Sequence, residues 1–189
     1  LLSDHGMPLP FAKSTVYQNG LRVPFLMRWP EQISSGKINS RDMVSAIDIG
    51  PTILDILNIS IPTHFEGRSF NPKTNPVSPQ YVFGQFDENA GGIPRPSRTV
   101  ISKQYGYVFN AWATGQYEFK SASGSHTSYK VMKRFSEIDD NIKQRFEFWK
   151  YREIEELYDY KNDPHALNNL VDDPNYQLVV EEFRKVLKK

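Results

Sequence analysis

Ser3-Asp4-His5-Gly6, followed by Lys13 and then by Tyr17-Gln18-Asn19-Gly20-Leu21-Arg22-Val23-Pro24, is the stretch around which this 189-residue chain is organised. Leu1 and Leu2 run directly into a turn of small residues that carries an acid and an imidazole. A parallel strand looks like this where it ends at the carboxyl edge of an α/β sheet, the edge at which such sheets bind ligands. Asp4 and His5 are both candidate metal ligands, because adjacent positions on an irregular turn can face one ion. Lys13 adds a compact positive charge suited to an anionic oxygen. Acid, imidazole, cation and turn together point to metal-assisted attack on an anionic ester. An ordinary loop, closed by the local hydrogen bonds of Asp and the freedom of Gly, has the same appearance. The residues of the turn leave both readings open.

The totals narrow the classes. Hydrophobic residues at 39% and charged residues at 24% are the balance of a globular chain that buries a core. Aromatics at 13% favour sheet surfaces and carbohydrate-contacting walls alike. A net charge of +1 argues against a nucleic-acid partner held by phosphate neutralisation. There is no Cys, which excludes a disulfide framework and a thiolate zinc site. Nothing reads as a signal peptide or a spanning segment, so no membrane partner is expected. The chain opens on Leu1, inside what reads as a strand and without an initiator Met, so the N-terminal part of a longer protein is expected to precede it.

Outward from the opening stretch, residues 22–29 read as a buried strand closed by Pro30, with Pro24 demoting its start. A loop follows over 31–40. A helix is expected from Pro51 to Leu57, with Pro at its first position and Asn58 ending it. Pro72, Pro76 and Pro79 mark a domain boundary, dividing the chain into 1–75 and 76–189. Beyond it, strands are expected at 81–86, 99–102, 105–111 and 117–119, with Tyr105-Gly106-Tyr107 and Thr114-Gly115-Gln116 as hairpin turns. The apolar spacing over 127–152 is helical, broken near Asp139-Asp140. A last strand at 156–160 precedes a helix started by Asp173-Pro174, whose Leu178, Val179, Phe183, Val186 and Leu187 form one stripe.

The opening stretch also resembles the later half of a sulfatase catalytic domain, through Arg28-Trp29-Pro30. Asp48-Ile49-Gly50-Pro51-Thr52-Ile53-Leu54-Asp55 is similar to that family's Asp-x-x-Pro-Thr-x-x-Asp helix. Glu66-Gly67-Arg68-Ser69-Phe70 resembles its Gly-Arg-Ser segment. Glu156-Leu157-Tyr158-Asp159, Asp163-Pro164 and Asn168-Asn169-Leu170 resemble its C-terminal signature. These matches follow one another in order over nearly the whole chain. Ser3-Asp4-His5-Gly6-Met7-Pro8-Leu9-Pro10-Phe11-Ala12-Lys13 most resembles the sulfamidase (heparan N-sulfatase) branch.

The resemblance implies an α/β (α+β) fold: the end of a sulfatase α/β sandwich domain, then a small four-stranded antiparallel sheet with a long C-terminal helix. It implies hydrolysis of sulfate esters or sulfamates on a sulfated carbohydrate, using a formylglycine and a divalent ion, usually Ca2+. The formylglycine is made in a Cys/Ser-x-Pro-x-Arg motif, expected upstream of Asp4. The nearest candidate here, around Pro96 and Arg98, has Pro94 at the nucleophile position and is rejected. By position, Asp4 resembles a metal ligand of the family and Lys13 the lysine that contacts the sulfate group. His5 stands where many members have Asn, so it either ligates the metal or contacts sulfate oxygens or the leaving nitrogen. Imidazole suits zinc, copper, iron or nickel better than calcium.

Glu88, Asn89 and Arg95, in a loop with Gln85, Asp87 and Arg98, are candidates for binding sugar hydroxyls, and a solvated loop reads the same way. Arg22 and Arg28 are expected to pair with buried carboxylates or carbonyls. His64, His126 and His165 are expected at the surface. Family membership suggests a periplasmic, secreted or lysosomal location, and a homodimer remains open. Two other readings survive: a phosphodiesterase or phosphonate hydrolase of the same superfamily, and a non-catalytic carbohydrate-binding module derived from it.

Overall fold

Alternating apolar residues between turn signals build a four-stranded sheet in the later part of the chain. In the computed structural model, which describes residues 1–71, 73–74, 78–88 and 92–188, the strands are β1 (Val82–Phe86), β2 (Ser97–Ile101), β3 (Tyr105–Asn110) and β4 (Glu155–Asp159). Their order is β1-β2-β3-β4. β2 and β3 pair antiparallel from Ser97 opposite Asn110 to Ile101 opposite Gly106, and β3 and β4 from Tyr105 opposite Asp159 to Phe109 opposite Glu155. The helices are α1 (Gln18–Leu21), α2 (Ile49–Ile56), α3 (Thr127–Phe135), α4 (Asp140–Tyr151) and α5 (Gln177–Leu187). Contacts divide the chain into two compact units, Leu1–Met27 with Gly84–Lys189, and Arg28–Phe83.

In the larger unit the sheet carries an aromatic core in which Tyr17, Val108, Trp112, Phe119, Trp149 and Tyr158 are all buried. Burying each such side chain contributes about 1.5–3 kcal/mol. Asp139 caps α4 by accepting from the N–H groups of Asn141 and Ile142 at 2.9 and 3.0 Å, which explains the break between α3 and α4. α5 packs on β2; Val180 and Phe183 are buried, whereas Leu178, expected in the same stripe, is 82% exposed.

Three local expectations are corrected. Gly106 lies inside β3, not in a turn: a Cβ there would stand 2.1 Å from Cε2 of Tyr160, so the glycine lets that ring lie across the strand. The turn is at residues 102–104, where Ser102 Oγ accepts from the N–H groups of Gln104 and Tyr105. Residues 117–119 form no strand, because Phe119 sends its N–H to Lys150 O at 2.6 Å and its ring into the core. Leu1-Leu2 and residues 22–29 form one antiparallel bridge, Leu2 with Phe25, in place of a parallel strand and a buried one. Leu1 is 83% and Leu26 64% exposed. An apolar strand stays buried only where other elements cover both its faces, and among the described residues none covers these.

The smaller unit shows why its motif spacing matters. Asp48, buried at the start of α2, accepts from Ser45 N and Arg68 N at 2.9 and 3.0 Å. One turn on, Thr52 Oγ accepts from Phe70 N at 3.1 Å and donates to Asp48 O. A further turn on, Asp55 accepts from the hydroxyls of Ser69 and Thr74, which hold its carboxyl below the usual range. Asp48, Thr52 and Asp55 therefore stitch one face of the helix to the segment that follows Gly67. Asn58, at φ 55°, ends α2 in the left-handed conformation, with Ile59 N bonding Leu54 O across the end.

Candidate active-site turn and the network behind it

Asp4, His5 and Lys13 all lie in the opening segment of the larger unit. Gly6 N donates to Gly20 O at 3.0 Å, and a Cβ on Gly6 would meet Asn19 O at 2.1 Å, so only glycine permits this close approach. The turn it creates exposes Asp4 and His5, with Asp4 Oδ2 and His5 Nε2 3.4 Å apart. His5 Nδ1 lies 2.8 Å from Gly6 O. A proton on Nδ1 makes that contact a hydrogen bond and leaves a lone pair on Nε2 facing Asp4, the arrangement a metal-binding imidazole needs. The two side chains offer adjacent oxygen and nitrogen donors to one ion. A hard divalent cation takes six or more, and among the described residues no group of three or more His, Cys, Asp or Glu converges.

Lys13 sits on a tight turn in which its N–H donates to Met7 O at 2.9 Å. Phe11 and Ser14, on either side of it, both adopt left-handed backbone, at φ 62° and 61°. Such conformations cost about 1–3 kcal/mol each and persist where surrounding contacts determine them. Those contacts are present. Phe11 is buried under the guanidinium of Arg145 at 3.7 Å and beside that of Arg152 at 5.0 Å. Thr15 Oγ donates to Ala12 O at 2.7 Å, and Tyr17 is anchored in the core. The Lys13 side chain makes no ion pair among the described residues.

Tyr17 leads to a buried network that the sequence did not announce. Its hydroxyl donates to Glu156 Oε2 at 2.6 Å, Tyr158 OH donates to the same oxygen at 2.7 Å, and Asn110 Nδ2 donates to Oε1 at 2.7 Å. Burial pushes the Glu156 carboxyl up, while Arg152 and these donors pull it back. Burial likewise pushes the Tyr17 and Tyr158 hydroxyls well above their ordinary range. Residues 155–159, Glu-Glu-Leu-Tyr-Asp, carry three acids, and nothing in their order marks Glu156 as the buried one. For Arg152 there was no signal either.

The remaining candidates separate. Arg95 is buried: Nε donates to Glu118 O at 3.1 Å, Nη1 to Pro94 O at 2.9 Å, and its guanidinium lies 5.0 Å from the Tyr117 ring and 5.7 Å from that of Trp112. Glu88 is exposed, and Asn89 lies outside the described residues. Asp87 pairs with Arg98 at 2.8 Å. Arg22 and Arg28, expected in buried pairs, are instead exposed and unpaired among the described residues, because the segment that carries them is itself uncovered. His64, His126 and His165 are exposed, as expected.

The family model described as "N-sulphoglucosamine sulphohydrolase, C-terminal" matches residues 4–109. The chain belongs to this sulfatase family. Among its relatives, an ulvan-active sulfatase of Formosa agariphila is 28% identical over 199 residues, covering 98% of this chain and 31% of its own length. The N-sulphoglucosamine sulphohydrolase of Homo sapiens is 28% identical over 206 residues, covering 99% and 40%. A solved 2-O GAG sulfatase shares the fold at 22% identity with a TM-score of 0.63, over 92% of this chain and 30% of that one. The chain thus spans about a third of the length of such relatives. No described helix is long and apolar enough to cross a membrane.

Proposed function

We propose that this chain is the C-terminal portion of a sulfatase that hydrolyses sulfate-ester or N-sulfate groups of a sulfated aminosugar in a glycosaminoglycan. The observation that carries this reading is the turn at residues 3–13, where a glycine-enforced bend presents Asp4 and His5 and a strained, ring-clamped loop presents Lys13. The relatives' names agree on sulfate removal and differ in the carbohydrate, so the sulfate-handling part of the reading has the broader support. The aminosugar part rests on the family itself.

In this reading Asp4 and His5 supply two donors to a divalent ion, Ca2+ in the family at large, and the other donors and the formylglycine come from elsewhere in the full-length protein. The ion when bound withdraws charge from a sulfate oxygen. Lys13 holds a second sulfate oxygen and stabilises charge that builds as the bond from sulfur to the leaving group breaks. The bonds of Lys13 N to Met7 O and of Thr15 Oγ to Ala12 O hold the backbone of its turn, which limits the reorganisation needed during reaction. Glu88, Asn89 and Arg95 are the candidates for contact with sugar hydroxyls in this reading, Glu88 from an exposed position and Arg95 from a buried one.

The test is Lys13→Ala in the full-length protein, with steady-state kinetics on a sulfated glucosamine. Losing one preorganised donor of this kind costs roughly 3–4 kcal/mol in comparable cases, so kcat/KM is expected to fall by at least tenfold with an unchanged melting temperature. Lys13→Arg should restore little, because a planar fork displaces oxygens that a point charge holds. An alanine variant with wild-type kcat/KM would remove Lys13 from the site.

A further inference from the structure

Between the sheet and the segment at residues 15–17 lies a small cavity of about 10 Å³, walled by Tyr17, Ser97, Asn110, Trp112, Phe119 and Arg152 among others. Arg152 is 8% exposed, and among the described residues its Nε and Nη2 are buried without a hydrogen-bond partner. These are two donors of a charged group, and leaving such groups unsatisfied is costly in a native interior. Three rings surround the guanidinium, with Phe119 at 4.5 Å, Tyr17 at 4.9 Å and Phe11 at 5.0 Å. Their faces stabilise a cation but accept no hydrogen bond of ordinary strength. The residue also holds a backbone conformation that favours glycine, φ 56° with ψ −177°, so its side chain must be worth keeping where it is.

We propose that this cavity binds one internal water molecule, which accepts from Nε and Nη2 of Arg152. Size limits the occupant to a single water or a monatomic ion, since the volume is about that of one probe sphere. Charge decides between them. Glu156 receives three donors, the surroundings of a carboxylate, and it already counters Arg152. A halide would add a second negative charge to a compensated pair, whereas water adds none. Water also donates, and Ser97 Oγ has a place for it: that oxygen donates to Asn110 Oδ1 at 2.6 Å and accepts from Trp112 Nε1 at 3.2 Å, which leaves one lone pair. The hydrated cation then fixes the rings of Phe11 and Tyr17 on either side of the turn that bears Lys13.

A high-resolution crystal structure of the protein grown in bromide tests this. The expected result is one peak in the cavity within hydrogen-bonding distance of Nε and Nη2, without an anomalous bromide signal. An empty cavity, an anomalous peak, or direct bonds from both nitrogens to protein acceptors would overturn it. Arg152→Met, where it folds, should lose the peak, and a peak retained at full occupancy there would also count against the proposal.

Discussion

Tyr17 connects the candidate turn to the core through its buried ring and its hydroxyl. Its ring lies edge-on to Tyr158 with centroids 5.8 Å apart, and both hydroxyls converge on one oxygen of Glu156. Hydrogen bonds to a charged, buried acceptor are worth about 1.5–3 kcal/mol, against about 1 kcal/mol for neutral pairs. Tyr17→Phe keeps the ring and removes only the donor. It should lower unfolding free energy by about that larger amount, read from a urea or guanidinium titration with an unchanged slope. A loss below about 0.5 kcal/mol would mean that Glu156 is carried by Asn110 and Tyr158 alone.

At the scale of elements, β4 and α5 are joined by a pair that pH should resolve. Arg184 donates from Nε to Glu155 Oε1 at 3.0 Å and from Nη2 to Oε2, and Tyr107 OH donates to Oε1 at 2.8 Å. The Arg184 bonds hold the Glu155 carboxyl below its ordinary value, with Tyr107 assisting. A carboxyl lowered in the folded state contributes its full stability above the unfolded value, about 4.5 for glutamate, and loses it as pH falls through the lower folded value. Melting temperature should therefore drop as pH falls below about 4.5, and Glu155→Gln should flatten that dependence while lowering stability at neutral pH. Parallel melts from pH 7 to pH 3 check both. An identical acid profile in the variant would assign the sensitivity to other carboxylates.

For the whole molecule, the question is what the chain does alone. The turn offers two candidate metal donors and one candidate cation, and the chain spans about a third of its relatives' length. The purified 189-residue chain is therefore expected to show no turnover of a chromogenic aryl sulfate above a mock preparation, with or without added Ca2+. Turnover that scales with protein and disappears in Lys13→Ala would show that the chemistry is complete within these residues. Leu1, Phe25 and Leu26 are exposed around the single bridge of Leu2 with Phe25.

Local patterns were legible because their physics is local. The helix expected from Pro51, which starts two residues earlier at Ile49, its end at Asn58, the break near Asp139-Asp140 and the Asp173-Pro174 start depend on hydrogen bonds within a few residues, and the sequence by itself determined their presence. Motif order likewise identified the family, although several motifs proved to be clamps: Asp48, Thr52 and Asp55 hold the Arg68–Thr74 region, and Asn169 Oδ1 accepts from Leu157 N. Long-range partners decided the rest. Gly106 sits in a strand because Tyr160 needs its space, and Phe119 leaves the sheet because the core takes its ring. Arg152, Glu156 and Tyr17 meet although Tyr17 and Glu156 stand 139 residues apart. No spacing rule reaches that far. Burial turns such residues from ordinary charges into a network, and burial is a property of the folded chain alone.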